Sequence, residues 1–413
     1  MVCVHKNGKA TIPPIMNKKL NRRQFLLNTS IGVLGAGLFE NKGLATTIKD
    51  QKIELPRKLV YRILGKTGIR VPVIGMGILT SGNPALINAA LDAGITHFDS
   101  TASQPQQMRN EEMLGEALKG RSRESVIYGT KIHLPQDYRT GLYEKTATEK
   151  EFTRMLDTAL KSLQMEYVDI LYHHSVSRRE SAFYEPIMKA MEKAKKVGKA
   201  RFLGMTSHSN VPEVVQAAAD SKFYEVIMAS YNPRQLNGLQ VKEAIANAAK
   251  TGLGVVAIKV IRGDVEKGQA PINPGGSLKW VLQDANVHAT VPGFSNFDEM
   301  NIDLSVMEDL SLTDAEMNDL KREDSYSGLF CQGCGQCLRQ CDAGLPIPDL
   351  MRAYMYEYGY RQPVLAHSLL TSLELPHKVC ENCSSCQVIC QNGWKVSEKI
   401  CDIVRFRDVP SVF

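Results

Sequence analysis

The 413 residues carry 43% hydrophobic and 23% charged side chains and a net charge of +6, an ordinary balance for one or two soluble globular domains. No dense lysine–arginine run accompanies the positive charge, which argues against nucleic-acid binding. The ten cysteines are unevenly spread, with none from Val4 to Phe330 and eight in two runs between Cys331 and Cys390. The chain thus divides into a cysteine-free body and a cysteine-rich tail.

The first predicted element is an address. From Met16 the chain reads MNKKLNRRQFLLNTSIGVLGAGLF: a basic stretch, then Gln24-Phe25-Leu26, then a Gly-rich apolar run. That layout is a signal peptide, and the core at Arg22-Arg23 resembles the twin-arginine type. It implies the twin-arginine export machinery as a partner and a periplasmic or exported location, with Gly43-Leu44-Ala45 as a weak cleavage site. The run is too short for a membrane span, so residues 1–48 are set apart and no stable span is expected in the mature chain.

From 59 to 322, short apolar runs alternate with amphipathic stretches. The runs are Val73–Met76, Thr96–Ser100, Val126–Lys131, Val168–His174, Arg201–Thr206, Glu225–Tyr231, Gly254–Val260 and Val287–Pro292. Helical periodicity marks Glu111–Leu118, Glu151–Leu163, Pro186–Val197 and Val241–Lys250 between them. This arithmetic predicts an α/β chain folded as a (β/α)8 TIM barrel. A doubly wound sheet would need a G-x-G-x-x-G turn after its first strand, and Gly75-Met76-Gly77 does not continue that way. The polar residues at the carboxyl ends of barrel strands are then the candidate site. They are Asp99, Lys131, His173, His174, Thr206, Ser207, His208, Asn232 and Lys259.

The segments YRILGKTGIRVPVIGMG, ITHFDSTAS…NEEMLGEAL, VIYGTKI, YVDILYHH, FLGMTSHS, SYNPRQLN and VPGFSNFDEMN are similar, in order, to the motifs of the aldo/keto reductases. The resemblance implies hydride transfer between a nicotinamide and a carbonyl or alcohol of a small-molecule substrate. It matches Asp99, Lys131 and His174 to the family's Asp, Lys and His, while the proton-donating Tyr falls on Gln104, whose carboxamide has no ionisable proton. His174 is then the best remaining acid–base group, with Tyr138 or Tyr143 as other candidates to reach inward. The cofactor positions are altered as well. Thr206-Ser207 replaces the Ser-Asn pair, and Met228 stands for the strand-6 Gln. Gly293, Glu299 and Asp303 occupy the adenosine-binding positions. Glu299 repels a 2′-phosphate, so NAD(H) suits the site better than NADP(H).

The tail, 325–413, carries Cys331-x2-Cys334-x2-Cys337-x3-Cys341 and Cys380-x2-Cys383-x2-Cys386-x3-Cys390. This is the bacterial ferredoxin spacing, in which the fourth cysteine ligates the other cluster. Two [4Fe–4S] clusters are expected, one on Cys331, Cys334, Cys337 and Cys390, the other on Cys380, Cys383, Cys386 and Cys341. Structural zinc and disulfides are the competing readings. The usual Pro after the fourth Cys is Asp342 in one run and Gln391 in the other. Cys401 reads as a buried free thiol, and the segment between the runs as helix. The tail resembles the small, mainly α-helical ferredoxin-like extension of some aldo/keto reductases.

Together these features predict an exported iron–sulfur oxidoreductase with a redox partner protein. A catalytically silent barrel that docks an electron-transfer module, and a cofactor-independent lyase or epimerase, are the alternatives.

Overall fold

The computed structural model describes residues 59–408 apart from 81–82, 103–104, 138–139, 234, 236, 262–272, 322–330, 332–334, 360–361, 374, 377, 381–382, 384–385 and 391–392. The signal region, Gln104, Tyr138 and Cys334 lie outside the described residues.

An antiparallel hairpin, β1 (Tyr61–Ile63) and β2 (Arg70–Pro72), leads the fold. Its turn needs Gly65, at φ +50°, because a Cβ there would lie 2.4 Å from the backbone of Gly252 and Gly254. The turn therefore packs directly on the barrel floor. Leu64, Ile69 and Val71 of the hairpin share one buried cluster with Ile170, Tyr172, Met228 and Val256. The floor is plugged, so the opposite end is the mouth.

Eight parallel strands follow in sequence order: β3 (Met76–Gly77), β4 (His97–Asp99), β5 (Ile127–Ile132), β6 (Val168–His173), β7 (Ala200–Ser207), β8 (Val226–Ser230), β9 (Gly254–Ile258) and β10 (Ala289–Thr290). Each coincides with one predicted run. The first and last are shorter than expected, yet they close the barrel. Gly75 N donates to Thr290 O at 2.7 Å, Thr290 N donates to Val73 O at 2.8 Å, and Ile74 bridges Thr290 in parallel.

A helix follows every strand: α1 (Pro84–Asp92), α2 (Pro105–Ala117), α3 (Glu149–Leu163), α4 (Glu185–Lys196), α5 (Val211–Ser221), α6 (Gly238–Lys250), α7 (Pro274–Leu282) and α8 (Phe297–Val306). The helix α3 illustrates why. Thr148 caps it by accepting from Glu151 N at 3.2 Å. Phe152, Leu156, Ala159, Leu160 and Leu163 then form one apolar stripe buried against the strands.

After α9 (Asp314–Lys321) come the tail helices α10 (Ile347–Tyr354), α11 (Pro363–Ser372) and α12 (Val396–Ile403). Among the described tail residues no strand forms. The tail has its own core, built from residues such as Leu350, Leu370, Trp394 and Ile400, and Leu79 from the barrel mouth packs against it. The two cysteine runs end alike. Gly344 N donates to Cys341 O and Gly393 N to Cys390 O, each at 2.9 Å, with both glycines left-handed, and α10 or α12 follows. Gln340 ties the runs together, accepting from Ile389 N at 2.7 Å and donating to Ile389 O at 3.3 Å. Three tyrosines between the runs are engaged in packing. Tyr354 lies 4.5 Å from Tyr358, and Tyr356 is buried in the tail core. No helix of the described residues is long and apolar enough to cross a membrane.

Candidate active site

Strand pairing assembles the mouth. Lys131 leaves the end of β5 beside Asp99 on β4, forming a buried ion pair, and its Nζ also donates to Ser100 O at 2.8 Å. Burial pushes the Asp99 carboxyl up, and the Lys131 charge opposes that shift. Asp99 Oδ1 is buried without a partner.

Behind the pair, the buried Glu111 of α2 accepts from Ser100 Oγ at 2.6 Å, Thr130 Oγ1 at 2.8 Å and Tyr128 OH at 3.1 Å. Burial raises the Glu111 carboxyl despite these donors. Tyr128 therefore faces outward, as the strand parity requires.

The two consecutive histidines part company. His173 turns away from the mouth. Its Nε2 meets Tyr143 OH at 2.5 Å and its Nδ1 meets Tyr224 OH at 2.8 Å, and burial lowers its pKa to about 3. Tyr143 is thereby committed behind the barrel wall, where it stacks on His173 and Tyr184 rather than reaching the site. His174 faces the mouth, edge-on to His133 at 5.4 Å and to His208 at 6.1 Å. Burial holds the pKa of His174 well below the ordinary range, and His133, His208, Lys131 and Arg352 reinforce the effect. It is a neutral imidazole at pH 7, suited to accepting a proton or orienting an oxygen and not to acting as an imidazolium acid.

Three residues of this mouth were not singled out from the sequence. His133 stands two positions beyond Lys131, so strand parity was a usable signal. Tyr172 pairs in register with Lys131, whose Nζ is 5.9 Å from its ring centre. Its hydroxyl is buried without a partner. Arg352 comes from tail helix α10, and no sequence pattern links that helix to the barrel.

The cofactor positions are spoken for. Thr206 Oγ1 accepts from Ser175 N at 2.8 Å, and Ser207 Oγ donates to Ser209 O at 2.8 Å. Met228 is buried in the barrel interior, with no donor to offer an amide. Glu299 accepts from Ser295 N at 2.7 Å and Ser295 Oγ at 3.0 Å while Asn296 caps α8. That carboxylate occupies the helix terminus an anion would seek. Asp303 is buried, its carboxyl raised by burial and by Glu299, and Gly293 is exposed. Met228 offers a nicotinamide carboxamide no hydrogen bond, and the carboxyl groups of Glu299 and Asp303 do not fit a 2′-phosphate.

In the tail, Cys331, Cys337, Cys341, Cys380, Cys383, Cys386 and Cys390 form no disulfide. Cys401, read from the sequence as a free thiol, is disulfide-bonded. Burial pushes the Cys380 thiol up to about 11, and the neighbours that add to this are Cys383, Cys341 and Cys386. These four are the expected cross-run set. Among the described residues no group of three or more His, Cys, Asp or Glu could hold a metal ion as arranged.

Within this closed parallel barrel with its buried Asp–Lys pair, residues 81–270 match the Aldo/keto reductase family. Members of that family are oxidoreductases. L-glyceraldehyde 3-phosphate reductase of Escherichia coli (strain K12) is 32% identical over 171 residues, 38% of this chain and 48% of that protein. L-galactose dehydrogenase of Arabidopsis thaliana is 29% identical over 162 residues, 36% of this chain and 49% of that protein. The chain thus spans about half the length of these curated relatives. In fold, an aldo-keto reductase from Bacillus halodurans in its holo form superposes with a TM-score of 0.52 at 20% identity, covering 64% of this chain and 96% of that one.

Proposed function

We propose that the chain is an exported iron–sulfur oxidoreductase of the aldo/keto reductase type. Its barrel mouth acts on a small carbonyl or alcohol, and its tail passes electrons singly to or from a redox partner protein. The observation that carries the reading is one cavity of about 140 Å³ lined both by His208 and Lys259 of the barrel mouth and by Cys331 of the tail. A substrate held there would share the cavity with Cys331, an expected cluster ligand.

The residues have distinct tasks in this reading. Lys131, fixed by Asp99 and Ser100 O, holds the substrate oxygen and stabilises negative charge on it. His174, a neutral imidazole, takes the proton of an alcohol or orients the substrate oxygen, since Gln104 cannot act as an acid or base. Two [4Fe–4S] clusters would supply one-electron transfer, held by Cys331, Cys334, Cys337 and Cys390 and by Cys380, Cys383, Cys386 and Cys341. Twin-arginine export, read from Arg22-Arg23, carries folded proteins and suits a chain that must acquire its clusters first. A nicotinamide, if carried, would need groups other than Ser207 and Met228. That same occupancy favours, as a second reading, chemistry without a nicotinamide, such as lyase or epimerase action with His174 as the base.

Anaerobic purification followed by iron, acid-labile sulfide and nucleotide analysis tests the reading. The expected content is about eight iron and eight sulfide per chain. Zinc in place of iron would overturn it. Co-purified NAD(H) would overturn the second reading. His174→Ala should abolish turnover, and retained activity would remove His174 from its role.

A further inference from the structure

The cavity between barrel and tail has a chemistry of its own. The barrel side offers Ser175, His208, Ser230 and Lys259, and the tail side offers Arg352 and Asp349. Ser175 and Lys259 both hold left-handed backbone at φ +56°, although neither is glycine. Such conformations are strained and collect at functional sites.

The cavity's charged lining residues are Lys259, Arg352 and Asp349. Asp349 is committed to an ion pair with Arg352. Burial lowers the pKa of His208, and Lys259, Arg352, Lys131 and His133 deepen the effect, with no carboxylate opposing them. His133, His174 and His208 each keep a buried Nδ1 without a partner. A neutral imidazole offers a donor on one nitrogen and an acceptor on the other, the complement of a hydroxyl. Lysine and arginine are the complement of a carboxylate or phosphate.

We propose that this cavity binds a small hydroxylated anion, a hydroxy acid or a sugar phosphate. Its anionic group lies between Lys259 of the barrel and Arg352 of the tail, and its hydroxyls meet His208 and Ser175. The inference rests on the reading of the barrel mouth as the reaction site and names the substrate class of that site. It also gives the tail a second task, since one half of the anion site is delivered by α10.

Calorimetric titration of the full, anaerobically purified chain tests this with three probes: D-glycerate, glycerol 3-phosphate and uncharged glycerol. At least one charged probe should bind about tenfold or more tightly than glycerol. Whichever binds identifies the anionic group as carboxylate or phosphate. Arg352→Gln and Lys259→Gln should each weaken that probe about tenfold and leave glycerol unchanged, while Arg352→Lys retains part of the affinity. Lys259→Gln leaves the Arg352–Asp349 pair intact, so it decides the matter even if Arg352→Gln misfolds.

Glycerol binding as tightly as the charged probes, no charged probe binding, or Lys259→Gln binding like the wild type would overturn the proposal. So would NAD(H) competing with the charged probe and losing affinity in the same variants, which would give the site to a dinucleotide. Full iron content without anion binding sinks this inference alone. Anion binding without iron sinks the electron-transfer reading alone.

Discussion

A single methyl group added at Gly204 tests how the barrel holds its Asp–Lys pair. The fully buried Tyr172 ring lies between Gly204 on β7 and Gly129 on β5, and Tyr172 is the register partner of both Lys131 and Gly204. A Cβ at Gly204 would lie 2.5 Å from Tyr172 Cδ1 and 2.6 Å from Cε1, against a comfortable carbon contact of about 3.5–4.0 Å. The ring cannot retreat far, because a Cβ placed on Gly129 would already meet Cε2 at 2.8 Å. Overpacking of this kind costs about 1–3 kcal/mol. Urea unfolding should therefore show Gly204→Ala with a lower midpoint and an unchanged slope. Tyr172→Ala alone should lose about 3–5 kcal/mol, yet adding Gly204→Ala to it should cost little, a coupling of about 1–3 kcal/mol. Wild-type stability for Gly204→Ala, or the same cost in both backgrounds, would refute the glycine clamp.

Tyr172→Phe removes a buried hydroxyl without a partner, so stability should hold or rise by up to about 1 kcal/mol; urea midpoints check this. Asp99→Asn leaves the Lys131 charge buried and should cost about 3–5 kcal/mol, much of which the added change Lys131→Met restores. Asp169→Ala strips two arginines, Arg123 and Arg201, of a buried partner at 2.7 and 2.6 Å, and should cost about 3–5 kcal/mol. Acid unfolding should expose two buried histidines. His97 titrates at about 4 and His173 at about 3 in the folded chain, against 6.5 in the unfolded one. Both values are depressed, so the unfolded chain binds more protons below pH 6.5, and stability falls with falling pH. Each contributes a loss of about 2 kcal/mol by pH 5. The slope of unfolding free energy against pH should flatten in His97→Leu, and an unchanged slope would refute that assignment.

The eight strand runs and their helices were legible because a barrel imposes a local rule: a short apolar run, a turn, then an amphipathic helix, eight times over. Asp99, Lys131 and His174 were legible for the same reason, since strand ends in a barrel share one rim. Other features were not local. Parity along β6 separates His173 from His174, but only packing decided that Tyr143 and Tyr224 would claim the first and leave the second at the mouth. Thr206 and Ser207 kept their positions at a strand end, yet neighbouring loops engage their hydroxyls. Arg352 carried no signal, because its task depends on α10 lying over a barrel mouth hundreds of residues away in sequence. The sequence by itself thus determined the scaffold and the chemical inventory, through periodicity and spacing. The tertiary structure decided which of those groups face the cavity, because orientation and partnership come from long-range packing.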